Sequence, residues 1–219
     1  MTDDDLRPFL RSLPVFPENL PEFDTDAVSD EPVTLFHRWL RHAVDEGVLA
    51  PHAATLSTVD PGGCPSARVL ILKDADLDGW SFATHADSPK GRHLAATEDV
   101  ALTFFWPQVG RQVRIHGRAR PADDATSASD FLARSADARA STLVGRQSKP
   151  LTEPAEYASA LASAKAQLTS DPDMIAESWT VYVVRAASVE FWQASPDRAH
   201  IRLLYLRTDG SWTRTRLWP

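Results

Sequence analysis

Residues 34–49, TLFHRWLRHAVDEGVL, place Leu35, Phe36, Trp39, Leu40, Ala43 and Val44 at helical spacing. That period predicts an amphipathic helix with one buried stripe, capped by Asp30 or Thr34, with Pro32 in its first turn. From residue 53 the period changes to two. The runs AATLSTV (53–59), ARVLILK (67–73), WSFAT (80–84), VALTFFW (100–106) and RQVRIHGRA (111–119) are rich in β-branched and aromatic residues and predict strands. Asp60-Pro61-Gly62-Gly63 and Leu77-Asp78-Gly79 supply turns between them. Ser88-Pro89-Lys90 predicts the start of a short helix, with Ser88 as N-cap and Pro89 in first position.

Farther on, residues 123–139 and 153–168 are rich in Ala, Ser and Asp and predict helices. TVYVVRAASVEFWQ (180–193) returns to strand, and a last hairpin turns at Asp209-Gly210. Many antiparallel strands with a few helices predict an α+β fold built around a β-barrel. Residues 1–31 have little periodicity and predict an acidic, proline-containing, extended arm before one domain over 32–219.

Composition changes this picture little. The chain has 219 residues, 43% hydrophobic and 24% charged, which suits a globular protein with a substantial core. Its formal net charge is −7, and residues 1–31 account for all of it, holding nine acids against Arg7 and Arg11. The neutral remainder gives no footprint for nucleic acid or an anionic membrane. No run approaches the ~20 apolar residues of a membrane helix, and the acidic N-terminus has no apolar stretch like that of a secretory signal. A single cysteine, Cys64, cannot form an internal disulfide, so a reducing cytoplasm is expected.

The usual catalytic signatures are missing: there is no GxGxxG, P-loop, GxSxG, HExxH or paired CxxC. The seven histidines lack metal-ligand spacing, so no metal is expected. An enzyme with this sequence would rely on a bound cofactor. Three places suit an anion. Arg198, His200 and Arg202 would share one face if they lie on a strand, and such clustered charge calls for an anion or a carboxylate among them. Arg68 and Lys73 stand at the two ends of one apolar run, where a buried ammonium needs a partner. The helix start at Ser88-Pro89-Lys90-Gly91-Arg92 offers free backbone N–H groups.

The segments SARVLILK, FATHADSPKGRHLA, FWPQVGRQVRIHGRA, GRQS, VEFWQ and DRAHIRLLY occur in that order. They resemble the pyridoxamine 5′-phosphate oxidase family over roughly residues 34–219. The resemblance implies a split β-barrel homodimer with FMN in clefts between the subunits. It also implies oxidation of pyridoxine or pyridoxamine 5′-phosphate, with O₂ as acceptor and H₂O₂ as product. By position it implies FMN contacts from the strand Arg68, Val69, Leu70, Ile71, Leu72 and Lys73, and from Ala83, Thr84 and Lys90. Further contacts are implied from Gln112, Gln147, Ser148, Trp192 and Arg202. Lys73 and Arg134 would hold a substrate phosphate, and Arg198 and His200 would act over the substrate ring.

Several positions depart from the family. Asp130 replaces a phosphate-binding tyrosine, Ala138 a serine, Pro89 an arginine and Ala83 a tyrosine. The stretch THADSPKGRHLA and the LRSLP-type N-terminus resemble instead the phenazine-biosynthesis FMN oxidases, so another reduced N-heterocycle is a second expectation. A flavin- or haem-binding split-barrel protein without oxidase activity is a third.

Overall fold

The period-two runs form strands whose inward side chains alternate with outward ones. The computed structural model describes residues 6–219. Its elements begin with α1 (Leu6–Ser12), α2 (Pro32–Asp45), β1 (Ala53–Val59), β2 (Pro65–Ala75), β3 (Trp80–His85) and α3 (Pro89–Ala96). Then come β4 (Asp99–Trp106), β5 (Arg111–Pro121), α4 (Asp124–Leu132), α5 (Ala136–Leu143) and α6 (Pro154–Ser170). The chain finishes with β6 (Trp179–Gln193), β7 (Ile201–Thr208) and β8 (Ser211–Leu217).

The sheet order is β3-β2-β1-β4-β5-β6-β7-β8, and β3 also pairs with β6. That extra antiparallel pairing sets Phe82 opposite Tyr182 and closes six strands into a barrel. With helices at its periphery, this is the split β-barrel that the sequence predicts.

The chain divides into two compact units. One consists of His52–Leu102 and Ile115–Ala187, the other of the segment up to Pro51 with Thr103–Arg114 and Ser188–Pro219. The first, the barrel unit, buries Leu56, Leu102, Ile115 and Val184 and stacks Phe82 on Tyr182 at 5.6 Å. Here β5 and β6 approach so closely that a Cβ on Gly117 would lie 2.1 Å from the Arg185 carbonyl oxygen, so only glycine fits. Helices α5 and α6 pack through Ala140, Ala164 and Leu168, and the two small alanines let them come near each other.

The second unit packs α2 against the residues of β4, β5 and β6 that belong to it. Trp39 meets Phe191 edge-on at 5.1 Å, and Phe36 meets Phe104 at 4.9 Å. Burying each such ring contributes roughly 1.5–3 kcal/mol.

Several expectations change. Within the arm, Leu6–Ser12 is a helix, and Phe23 is buried edge-on against Trp39 at 4.8 Å. Residues 3–5 of the acidic arm lie outside the described residues. Glu31, not Asp30 or Thr34, precedes α2, without a side-chain cap, while Asp30 pairs with Arg214 at 3.1 Å. Val44 proves exposed. The segment 123–139 is two helices, because Ser135 accepts from the Ala138 N–H and starts a second one. In β6 the buried parity switches from Tyr182, Val184 and Ala186 to Val189, Phe191 and Gln193. The switch falls where the strand leaves one unit for the other.

Candidate active site

In the barrel unit, the predicted cap at Ser88 holds. Its Oγ accepts from the Gly91 N–H at 3.2 Å and donates to the His85 carbonyl at 2.7 Å. Gly91 lets α3 seat on the strand end, since a Cβ there would lie 2.2 Å from the Ala86 oxygen. This geometry turns Lys90 inward, where it is 5% exposed. The ammonium donates to Ser88 Oγ at 3.3 Å and to Gln147 Oε1 at 3.1 Å. Arg68, half-buried on β2, donates to the Leu56 carbonyl, Thr58 Oγ1 and Ser66 Oγ.

All the hydrogen-bond acceptors of this cation pair are neutral. Burial pushes the Lys90 ammonium below its ordinary value, and the Arg68 charge pushes it further. Burial also lowers Arg68. Two neighbouring cations whose hydrogen bonds among the described residues reach no carboxylate are costly unless an anion joins them, which makes this corner a candidate anion seat. Replacing Ser88 by Ala should cost about 1 kcal/mol through the lost cap. Urea unfolding checks this, and a loss under ~0.3 kcal/mol would mean that the cap is not needed.

A cavity of about 480 Å³ opens in this unit, lined among others by Leu70, Ala83, Thr84, Arg134, Gln147 and Trp179. Ser148, beside Gln147, has φ of 63° in the loop after α5. His85 also lines the cavity, with Nδ1 2.9 Å from Ser178 Oγ. Burial holds its pKa below the ordinary histidine value, so the ring is neutral near pH 7. Sequence reasoning missed His85, although it directly follows Thr84 in a strand that is buried on both faces.

Lys73, at the far end of the β2 run, does have a partner. Its Nζ lies 2.9 Å from Asp130 Oδ1. The other Asp130 oxygen accepts from Trp179 Nε1 at 2.9 Å, and Arg134 stacks over the same indole at 4.0 Å. Both residues proposed for a substrate phosphate thus gather around one carboxylate. Between Arg68 and Lys73, Leu70 and Leu72 are half-buried while Val69 and Ile71 are exposed on the opposite face.

The second unit carries Gln112, Trp192, Arg198, His200 and Arg202. Gln112 is half-buried on β5. The single-strand reading of Arg198, His200 and Arg202 is corrected, because β7 begins only at Ile201. Residues 195–200 form a loop in which Asp197 accepts from Ser195 Oγ and the Ala199 N–H. That loop holds Arg198 at φ of 65°, a conformation that costs a non-glycine residue energy. His200 Nδ1 accepts from the Ser195 N–H at 3.1 Å, which leaves the ring proton of the neutral imidazole on Nε2. The imidazole lies 4.7 Å from Trp192.

Arg202 is on β7 and donates through Nε to Glu190 at 2.8 Å and through Nη1 to the Trp218 carbonyl at 3.1 Å. Glu190 also binds Arg114. The carboxylate expected near Arg202 is therefore Glu190, a residue the sequence reading did not single out. Its signal was an acid at the centre of the apolar run VEFW. Burial alone would raise Glu190, but the hydrogen bonds and charges of Arg202 and Arg114 outweigh it and leave the carboxyl below its ordinary range.

Known proteins now give this geometry a context. The family model for pyridoxamine 5′-phosphate oxidase matches residues 40–205. A pyridoxine/pyridoxamine 5′-phosphate oxidase of Pseudomonas paraeruginosa is 37% identical over 205 residues, covering 90% of this chain and 95% of the relative. One from Thermosynechococcus vestitus is 38% identical over 196 residues, covering 90% and 92%. Among solved structures, PhzG from Burkholderia lata 383 in complex with tetrahydrophenazine-1-carboxylic acid superposes with a TM-score of 0.86 at 30% identity. That match covers 91% of this chain and 99% of PhzG. An FMN-binding protein of Nostoc punctiforme shares the fold with a TM-score of 0.71 at 20% identity, covering 88% of this chain and 100% of that one. With the closed barrel and the cation pair of Arg68 and Lys90 in place, the chain belongs to the pyridoxamine 5′-phosphate oxidase family.

Proposed function

We propose that this protein is an FMN-dependent oxidase of a reduced N-heterocycle, with a vitamin B6 phosphate as one candidate substrate. The observation that carries the reading is Lys90, a buried ammonium beside Arg68 whose hydrogen-bond acceptors are neutral. A flavin phosphate supplies the missing negative charge, and Thr84, Gln147 and Ser148 lie on the elements around that corner. Bound FMN would supply a hydride acceptor, with O₂ as the final oxidant and H₂O₂ as its product.

The chain's own part is positioning, since hydride transfer needs the donor carbon held at contact distance. His200 offers an Nε2–H donor and Arg198 a guanidinium to hold the substrate ring. Arg202, fixed by Glu190, joins Gln112 and Trp192 as the remaining flavin contacts. A second copy of the chain completes the site in this reading. The exposed apolar pair Val69 and Ile71 on β2 supports such a homodimer, because large apolar side chains on a strand favour being covered. The reading also places the protein in the cytoplasm, with no nucleic-acid or membrane partner.

A second substrate class, a phosphate-free heterocycle of the phenazine type, is favoured by the Lys73–Asp130 contact and by the likeness to PhzG. The test is anaerobic. Protein loaded with FMN is mixed with pyridoxine 5′-phosphate or a reduced phenazine carboxylate, and the long-wavelength flavin absorbance is followed. Bleaching by either, reversed by air, is expected. Retained FMN that neither bleaches would leave a non-catalytic flavin binder, and failure to retain FMN would sink the reading altogether.

A further inference from the structure

We infer that Asp130 is a specificity-determining residue that sets this site for ring substrates bearing at most one negative charge, against a phosphate dianion. The inference rests on the oxidase reading above and concerns the substrate side of the same site.

Lys73, Arg134 and Asp130 meet around Trp179. Asp130 holds the Lys73 ammonium at 2.9 Å and the Trp179 N–H at 2.9 Å, so both carboxylate oxygens have partners. The Asp130 side chain is 18% exposed and that of Lys73 30%, so solvent screens the pair only in part. Arg134 is fixed by its stack on Trp179 at 4.0 Å and by donation to the Ala138 carbonyl at 3.2 Å. Its Nε is buried with no hydrogen-bond partner. Asp130 also supports the charge of Arg134, acting against the burial that lowers its pKa.

The corner thus holds two cations and one anion, a single net positive charge. A ring carboxylate would bring that to zero. A phosphate monoester carries about −1.5 to −2 near pH 7 and would leave the corner negative, with Asp130 as a like-charged neighbour. It would also have to take Lys73 from Asp130 and leave a half-buried carboxylate without its counter-charge. A neutral or singly charged heterocycle disturbs neither contact. Like charges a few ångströms apart in a half-buried corner repel strongly enough to outweigh one added hydrogen bond.

The test compares two probes that cannot be oxidised, 4-deoxypyridoxine and its 5′-phosphate, which carry a methyl group at the reacting carbon. Calorimetric titration into FMN-loaded full-length protein gives both dissociation constants. Wild type should bind the two within about fivefold of each other. Asp130→Asn keeps the shape and an amide for Trp179, and should improve the phosphate probe at least tenfold while moving the other less than threefold. A merely structural role would shift both probes together.

A wild-type preference above 100-fold for the phosphate probe would overturn the inference without any variant. So would a ratio that Asp130→Asn leaves unchanged, or no binding of either probe to protein that retains FMN. Loss of FMN on desalting, read from its visible spectrum, would instead sink the oxidase reading on which this rests.

Discussion

Lys90→Met should weaken FMN binding by about 30- to 100-fold and leave the flavin-free protein as stable as wild type, or more so. The affinity estimate follows from losing a charge-assisted hydrogen bond of about 2–3 kcal/mol, at tenfold per 1.4 kcal/mol. The stability estimate has the opposite sign for a physical reason. Without an anion, the Lys90 ammonium is buried against Ser88 Oγ and Gln147 Oε1 alone, with Arg68 repelling it. Methionine fills similar space and removes that uncompensated charge. Titration of flavin fluorescence, with thermal unfolding of the flavin-free protein, reads both effects. An affinity change under threefold would show that Lys90 does not meet the flavin phosphate.

The same residue predicts a pH dependence. Lys90 has a folded-state pKa below its unfolded value of 10.5. Between those two values the unfolded chain binds more protons, so the flavin-free protein gains stability as pH rises through that window. Below the window the full cost of the buried charge is present. On the proposed reading FMN should bind the charged form better, so affinity is expected to be highest below the folded pKa and to decline above it. Lys90→Met should flatten both profiles.

The fold was legible because its determinants are local. Period-two runs such as AATLSTV and VALTFFW announce strands by themselves, and Ser88-Pro89 announces a helix start through caps that act within three residues. The anion seat was half legible. Arg68 and Lys90 could be named from sequence, but their shared lack of a carboxylate is a fact of packing. Lys73 shows the limit. Its run demanded a partner, yet the partner lies 57 positions away on α4 and is visible only in the fold. Arg198 and His200 defeated the alternation rule because Asp197 bonds to the Ala199 N–H and holds a turn there. Glu190 escaped notice because a strand pattern says which face a side chain takes and nothing about which two arginines wait beside it.

That carboxylate supports the second large effect. Removing Glu190 and removing its partners should not cost the same. Its own side chain is 7% exposed, whereas those of Arg114 and Arg202 are 42% and 27% exposed. In Glu190→Gln the arginines can turn toward water, so the loss is limited to charged hydrogen bonds, roughly 1.5–3 kcal/mol. In Arg114→Met/Arg202→Met the charge that remains is the buried one, and the loss should reach about 3–5 kcal/mol.

The pH profiles separate the two cases. In wild type the Glu190 pKa is depressed, so its contribution is full above the unfolded value of 4.5 and is lost as pH falls through the folded value. With both arginines gone, only burial acts and the pKa rises. The contribution of Glu190 to stability then changes sign, most favourable below pH 4.5 and eroding as pH climbs. Urea unfolding at a series of pH values reads this directly. A double variant that loses under 1 kcal/mol and keeps the wild-type slope would mean that water, not arginine, neutralises this carboxylate. Arg202 would then lack the fixed orientation that the proposed flavin contact requires.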